Sequence, residues 1–201
     1  MKSWLISWGL RKIKGALHLF FQYPRFLKYH LLSNNTPIGG GRLVQPVLFL
    51  GRGEIRVAPS VTLGVRPSPF LYSGYIHIEA RNPQSQICIA GAVWINNNCV
   101  LVSEGNGIEI GEGTLLGSNV EIYDSDFHEL HPQRRMTGRP KTAAVAIGRN
   151  VFLGSNVRIL KGVTIGDNSV IANGSVVVTS IPSNVIAGGN PAHIIRRIYS
   201  D

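Results

Sequence analysis

An all-β chain wound into a three-sided parallel β-helix is the fold the sequence predicts, and three observations predict it. From residue 147 the 201-residue chain repeats every six positions, reading IGRNVF, LGSNVR, ILKGVT, IGDNSV, IANGSV, VVTSIP. An aliphatic residue opens each unit at Ile147, Leu153, Ile159, Ile165, Ile171 and Val177, and a small or β-branched residue follows four places on at Val151, Val157, Val163, Ser169 and Ser175. Glycine is frequent, at 23, while aromatics are only 8%, a balance that favours many corners around an aliphatic core over packed helices.

A helix repeats its apolar positions at three and four, and a strand at two. Six residues fit one short strand and one corner, so that three units complete a turn. Turns stack about 4.8 Å apart, as neighbouring strands do. The recurring aliphatics then sit above one another in a continuous core that no single turn could form alone. Glycine, asparagine and aspartate at the corners tolerate the backbone that such bends need. The pattern extends upstream with interruptions, through Ile110, Leu116 and Ile122, through Ile89, Ile95 and Leu101, and through a degraded turn at Val57 and Leu63.

The expected organisation is a basic amphipathic helical arm over 1–35, a β-helix over 36–190 with a protruding loop at 124–144, and a short C-terminal helix over 191–201. With 44% hydrophobic residues the chain is globular, and disorder is excluded as its general state. Cys88 and Cys99 form no CxxC pair and offer no metal-ligand spacing. They read as small buried hydrophobes in a reducing compartment.

Charge is concentrated in the arm. Residues 1–53 hold eight Lys and Arg residues and no acid, against a net +9 for the whole chain. Trp4, Trp8, Ile13, Leu17, Phe20 and Phe21 are interleaved with these cations. Neither apolar run, Ser3 to Leu10 or Ala16 to Phe21, reaches the roughly 20 residues that span a bilayer. Lys12 and Lys14 interrupt the apolar centre that a signal peptide requires. Two readings of the arm are open: a helix lying on an anionic membrane surface, or one packed on the body or on a neighbouring subunit. No nucleic-acid motif accompanies the charge. A cytoplasmic location is expected, with the arm as the point of peripheral contact with the membrane's inner face. Pro24 and the stretch from Ser33 to Pro37 are expected to close the arm.

The six-residue register is lost from Asp124 to Ala144. A β-helix has no structural need for so long a polar excursion, and loops of this kind on rigid scaffolds often carry function. It opens with Asp124, Asp126, His128, Glu129 and His131, then turns basic with Arg134, Arg135, Arg139 and Lys141.

Residues 89 to 198 resemble the galactoside and maltose O-acetyltransferase branch of the hexapeptide-repeat acetyltransferases, and the polysaccharide O-acetyltransferases related to it. The stretches that carry the resemblance are WINNN, IGEGTLLGSNV, a loop histidine, IGRNVFLG, GVTIGDNSVI and GGNPAHIIRRI. The resemblance implies a left-handed coil, a homotrimer, and acetyl transfer from acetyl-CoA to a sugar or glycan hydroxyl in a ternary complex without a metal. An alcohol is a poor nucleophile at neutral pH, so a base must take its proton, and a histidine suits that role. The family's catalytic histidine maps to His128, with His131 as the competing position. The base needs an orienting partner, for which Asp124, Asp126, Glu129 and a backbone carbonyl are open. By the same resemblance Asn96, Asp126 and Glu104 face the acceptor, while Phe152, Gly154, Ala172 and Arg196 line the CoA groove. Phe152 stands where tryptophan is common in the family, Val178-Thr179 where a Thr-Lys pair is common, and His193 where Lys or Arg is usual.

His18, His30 and His77 lack a constellation and read as structural or surface residues. A zinc enzyme resembling the γ-type carbonic anhydrases needs three convergent histidines, and His128 and His131 are too close for that spacing. A non-catalytic β-helix scaffold, an amino-sugar N-acetyltransferase and an antibiotic O-acetyltransferase are the competing functions. The acceptor expected first is a cell-surface polysaccharide or its lipid-linked precursor.

Overall fold

The computed structural model describes residues 2–199, with side chains described from residue 15 onward apart from 16 and 18. The interfacial roles expected of the Trp4 and Trp8 side chains lie outside these. A helix over Lys2–Leu32 precedes three parallel walls that share the coils. The first wall runs from Ile38–Gly39 through Glu54–Val57, Gln86–Ile89, Ile108–Ile110 and Val145–Ile147 to Thr164–Ile165. The second begins at Arg42–Leu43, continues through Thr62–Leu63, Trp94–Ile95, Leu115–Leu116, Phe152–Leu153 and Val170–Ile171, and ends in Val185–Gly189 and Ala192–Arg197. The third rises from Val47–Gly51 through Ile76–Ala80, Val100–Ser103, Glu121–Tyr123 and Arg158–Ile159 to Val176–Val177.

The register sets one aliphatic over the next. On the first wall Val57, Ile89, Ile110, Ile147 and Ile165 stack. On the second the column is Leu63, Ile95, Leu116, Leu153 and Ile171. On the third it is Phe49, Ile78, Leu101, Ile122, Ile159 and Val177. All are buried in one core cluster. Each fully buried Ile or Leu contributes roughly 1.5–3 kcal/mol relative to exposure.

Two corners are reinforced by asparagine ladders. Asn98 donates to Asn119 Oδ1 at 3.0 Å, and Asn119 donates to Asn156 Oδ1 at 2.7 Å. Asn150 donates to Asn168 at 3.0 Å, and Asn168 donates to Asn184 at 2.9 Å. All six residues have φ between 53° and 63°, a left-handed backbone that asparagine accepts more readily than most side chains. At the second-to-third wall corner the coils also approach closely. A Cβ on Gly154 would lie 2.7 Å from the Asn173 nitrogen, so only glycine fits there.

The helix docks by one face. Gln22 Nε2 donates to Leu71 O at 3.0 Å, and Arg25 donates to Leu71 O at 2.8 Å and to Gly74 O. Tyr29 stacks on Tyr75 at 4.4 Å between centroids. Pro24 sits inside this helix instead of closing it.

The C-terminal helix expected over 191–201 is not formed. Ala192–Arg197 is a strand, antiparallel to Val185–Gly189. The last coil would otherwise leave the backbone donors and acceptors of the second wall's edge unpaired. The β-branched pair Ile194-Ile195 suits a strand better than a helix, and the hairpin satisfies that edge.

Candidate active site

The loop of residues 124–144 leaves the third wall after Tyr123 and returns to the first wall at Val145. Its neck is a short antiparallel contact. Ser125 bridges Thr142, Asp126 N donates to Lys141 O at 3.1 Å, and Ala143 N donates to Asp124 O at 2.9 Å. Beyond the neck the chain is polar and exposed, with a turn of 3-10 helix at Pro132–Arg134.

Asp124 anchors the root. Its carboxylate is fully buried and accepts from Ser103 Oγ at 2.7 Å, Glu104 N at 2.6 Å, Gly105 N at 3.2 Å and Gly107 N at 2.8 Å. This ties the corner at 103–107 to the start of the loop. It also engages both oxygens, so Asp124 is not placed to orient a histidine ring.

Beside that anchor lies a compact polar cluster on the outer surface of the third wall. Ser125 Oγ donates to Glu104 Oε2 and accepts from Phe127 N at 2.9 Å. Arg81 Nε donates to Glu79 Oε1 at 2.8 Å, and Arg81 Nη1 stands 3.6 Å from Glu104 Oε1. His77 Nε2 is 3.1 Å from Glu79 Oε2. The Arg81 guanidinium lies over the Phe127 ring at 5.1 Å, and Phe127 meets Tyr123 edge-on at 5.4 Å. Phe127 has φ +60°, a left-handed conformation that a bulky residue holds only when its surroundings impose it. Burial would raise the Glu79 carboxyl, but hydrogen bonds from Arg81 and His77 outweigh it and hold the group below its ordinary range. Burial pushes the Tyr123 hydroxyl up to about 12, with the Glu121 charge acting in the same direction.

His128 follows Phe127 directly and is exposed, as is His131. Neither ring makes a hydrogen bond to the described residues. Asp126 Oδ1 pairs with Lys161 Nζ at 3.3 Å, while Asp126 Oδ2 is buried without a partner among the described residues. Glu129 accepts from His131 N at 3.3 Å, and this hydrogen bond leads the causes that lower its carboxyl.

The remaining predicted residues lie elsewhere on the coil. Asn96 is at the second-to-third wall corner, where its Oδ1 accepts from Asn97 N at 2.7 Å. Gly154 and Ala172 stack along that same edge, and Phe152 points outward from the second wall in a column with Trp94 and Leu115. These three large apolar side chains are each 46% exposed. Arg196 is exposed on the terminal hairpin opposite Ile186. Within one chain, therefore, the loop root gathers Glu104 and Asp126 near the start of the loop that carries His128. Asn96 and the four residues expected to line the CoA groove sit across the third wall from it. A groove of about 760 Å³ runs along the first wall past Arg56, Cys88 and Glu109 and contains none of these residues. Sequence reasoning places His77 among residues without a constellation and misses Glu79 and Arg81. The outward alternation of Ile76–Ala80 is the available trace, but no motif marks it. Among the described residues no cluster of His, Cys, Asp and Glu could hold a metal ion.

Comparison with known proteins agrees with this architecture. Residues 144–179 match the model of the bacterial transferase hexapeptide, six repeats. The fold is the left-handed parallel β-helix, and residues 144–179 carry its hexapeptide repeats. It is 39% identical over 132 residues to the galactoside O-acetyltransferase of Escherichia coli, covering 66% of this chain and 59% of that protein. It is 41% identical over 106 residues to the galactoside O-acetyltransferase of Lactococcus lactis, covering 53% and 50%. The chain thus spans 50–59% of the length of these relatives. A hexapeptide-repeat acetyltransferase from Vibrio cholerae, solved with acetyl coenzyme A, superposes with a TM-score of 0.52 at 25% identity, covering 96% of this chain and 88% of that one.

Proposed function

We propose that this protein is an acetyl-CoA-dependent O-acetyltransferase acting on a sugar hydroxyl, with His128 as general base. The observation that carries the reading is the loop itself. An otherwise regular coil is interrupted by an excursion whose root is locked by Asp124, and this excursion presents an exposed imidazole. The solved acetyl coenzyme A complex of the Vibrio cholerae neighbour and the galactoside O-acetyltransferase relatives support the donor and the acceptor class.

In the reaction, His128 takes the proton of the acceptor hydroxyl as its oxygen attacks the thioester carbonyl. The tetrahedral oxyanion is held by a backbone N–H. Collapse breaks the C–S bond, and the imidazolium returns its proton to the CoA sulfur, leaving an acetyl ester and free CoA. Asp126 is a loop carboxylate two residues before His128 with one oxygen unpartnered among the described residues, and a turn of the loop that brings the ring to it would let it orient the second ring nitrogen. Glu104 faces the acceptor from the loop root.

The separation of the loop from the Gly154–Ala172 edge supports a homotrimer in which one chain's loop meets a neighbour's CoA edge, with Phe152 and Arg196 contributing there. The exposed column of Trp94, Leu115 and Phe152 supports burial of that wall between copies. The acceptor is a cell-surface polysaccharide or its lipid-linked precursor, reached in the cytoplasm with the arm resting on the membrane's inner face.

The test is release of free CoA thiol from acetyl-CoA across a panel of sugars and glycan fragments. Acceptor-dependent release that falls by about 10²-fold or more in His128→Ala is expected. Release that persists in His128→Ala and disappears in His131→Ala would move the base.

A further inference from the structure

We infer that the outer face of the N-terminal helix, together with the cavity at its foot, is a docking surface for an anionic lipid bilayer. This rests on the proposed contact of the arm with the membrane's inner face and assigns the surface that makes it.

The helix is held to the β-helix by Gln22, Arg25 and Tyr29. At 3.6 residues per turn, the opposite side carries Leu17, Phe20, Pro24, Leu27 and Leu31. The described apolar residues on that side stand in the open, with Phe20 71% exposed and Leu31 72% exposed. The exposed apolar arc is broad, because Leu19, Phe21, Tyr23 and Leu32 flank it and are also uncovered. A cavity of about 510 Å³ lies between helix and first coil, lined by Phe26, Leu27, Leu43, Val47 and Phe49. Leu27 belongs both to the exposed face and to the cavity wall, so the two are continuous.

Charge selects the occupant. Residues 17, 20, 24, 27 and 31 follow the three-and-four spacing of a coiled-coil seam, which raises a second copy of the chain as the alternative. A two-helix seam is narrower than the exposed arc. Residues 1–53 also contain no acid and eight cations, seven of them besides the docked Arg25, so copies brought side by side by these segments would oppose like charges. An anionic bilayer accepts both features. Its headgroups neutralise the cations, and its acyl region takes the apolar arc. The cavity has room for one acyl chain end beside Leu27. No helix among the described residues is long and apolar enough to cross a membrane, so the contact is peripheral.

The experiment is co-sedimentation of the full chain with vesicles of phosphatidylcholine alone and of phosphatidylcholine with phosphatidylglycerol. Leu27→Glu/Leu31→Glu is assayed in parallel, and the oligomeric mass of each protein is measured without lipid. Wild type should pellet with the anionic vesicles and be released by salt. The double variant, altered at two exposed positions, should bind at least about tenfold more weakly with its mass unchanged. Equal binding of wild type and variant overturns the assignment. So does a variant whose mass falls while neither protein binds vesicles, since the face would then join copies of the chain. CoA release on a soluble glycan reads the proposed activity separately, so loss of one reading leaves the other measurable.

Discussion

The Arg81 guanidinium lies 5.1 Å from the centroid of the Phe127 ring, and Phe127 is the residue immediately before His128. The same guanidinium reaches Glu79 and Glu104, so one side chain links a strand of the third wall, the corner after the next strand, and the stem of the loop. A stacked, forked cation of this kind is not replaced by an ammonium. For the proposed acetyl transfer, Arg81→Lys is expected to lower kcat by about tenfold and Arg81→Ala by more, with KM for acetyl-CoA nearly unchanged. The split between kcat and KM, with melting temperature recorded alongside, separates a positioning role from general loosening. Equal loss in both parameters would rule the positioning role out.

Asp124→Ala is predicted to destabilise the loop root. It leaves three backbone N–H groups and the Ser103 hydroxyl without their acceptor, and each buried orphan costs about 1–3 kcal/mol. A total of about 3 kcal/mol or more is expected, or roughly 6–12 °C in Tm for a chain of this size. Trypsin cleavage near Arg134 and Arg135 should accelerate before the coil itself opens. A variant as stable and as protease-resistant as wild type would contradict the anchor.

The Glu79 carboxyl gives a pH prediction. Its folded value lies below the ordinary 4.5, so its contribution is present in full above that value and is lost as pH falls through the lower folded one. Glu79→Gln should flatten the acid limb of the Tm–pH curve below about pH 4.5. An unchanged acid limb would mean that the Arg81 and His77 contacts contribute no linkage.

The ladders predict that Asn119→Ala costs about 2–4 kcal/mol. The change removes two side-chain hydrogen bonds, each worth about 0.5–1.5 kcal/mol, and places alanine at φ +60°, which adds about 1 kcal/mol. Asn119→Gly removes the same bonds without that backbone strain and should be the milder variant by urea denaturation. The reverse order would show that the left-handed backbone imposes no such strain on alanine.

The coil is legible in the sequence because its determinants are local and repeated: Ile147, Leu153, Ile159, Ile165 and Ile171 each restate the same inward position. Even the degraded turn at Val57 and Leu63 sits in the core as expected. The break at Asp124 is visible because it violates that period. Residues acting through the third dimension are not visible. Arg81 is 46 positions from Phe127, and only the stacking of coils brings them together. The terminal segment reads as a helix because Ile194, Ile195 and Ile198 with Arg196 and Arg197 also fit an amphipathic one. What decides for a strand is the unpaired edge of a neighbouring wall, which no local window contains.

That same hairpin has a consequence for the ends of the molecule. A stack of parallel turns is an open-ended template, and its last turn offers bonding groups to any copy that arrives in register. Reversing the chain at Ala192–Arg197 presents an antiparallel strand there, which a parallel newcomer does not match. At the opposite end, the segment after the helix occupies Phe49: Asn34 N and Asn35 N donate to its carbonyl, and its amide donates to Ser33 Oγ. Each tip is therefore capped on one wall, the second at the hairpin and the third at Phe49, which removes part of the edge that a further copy would need to extend the stack.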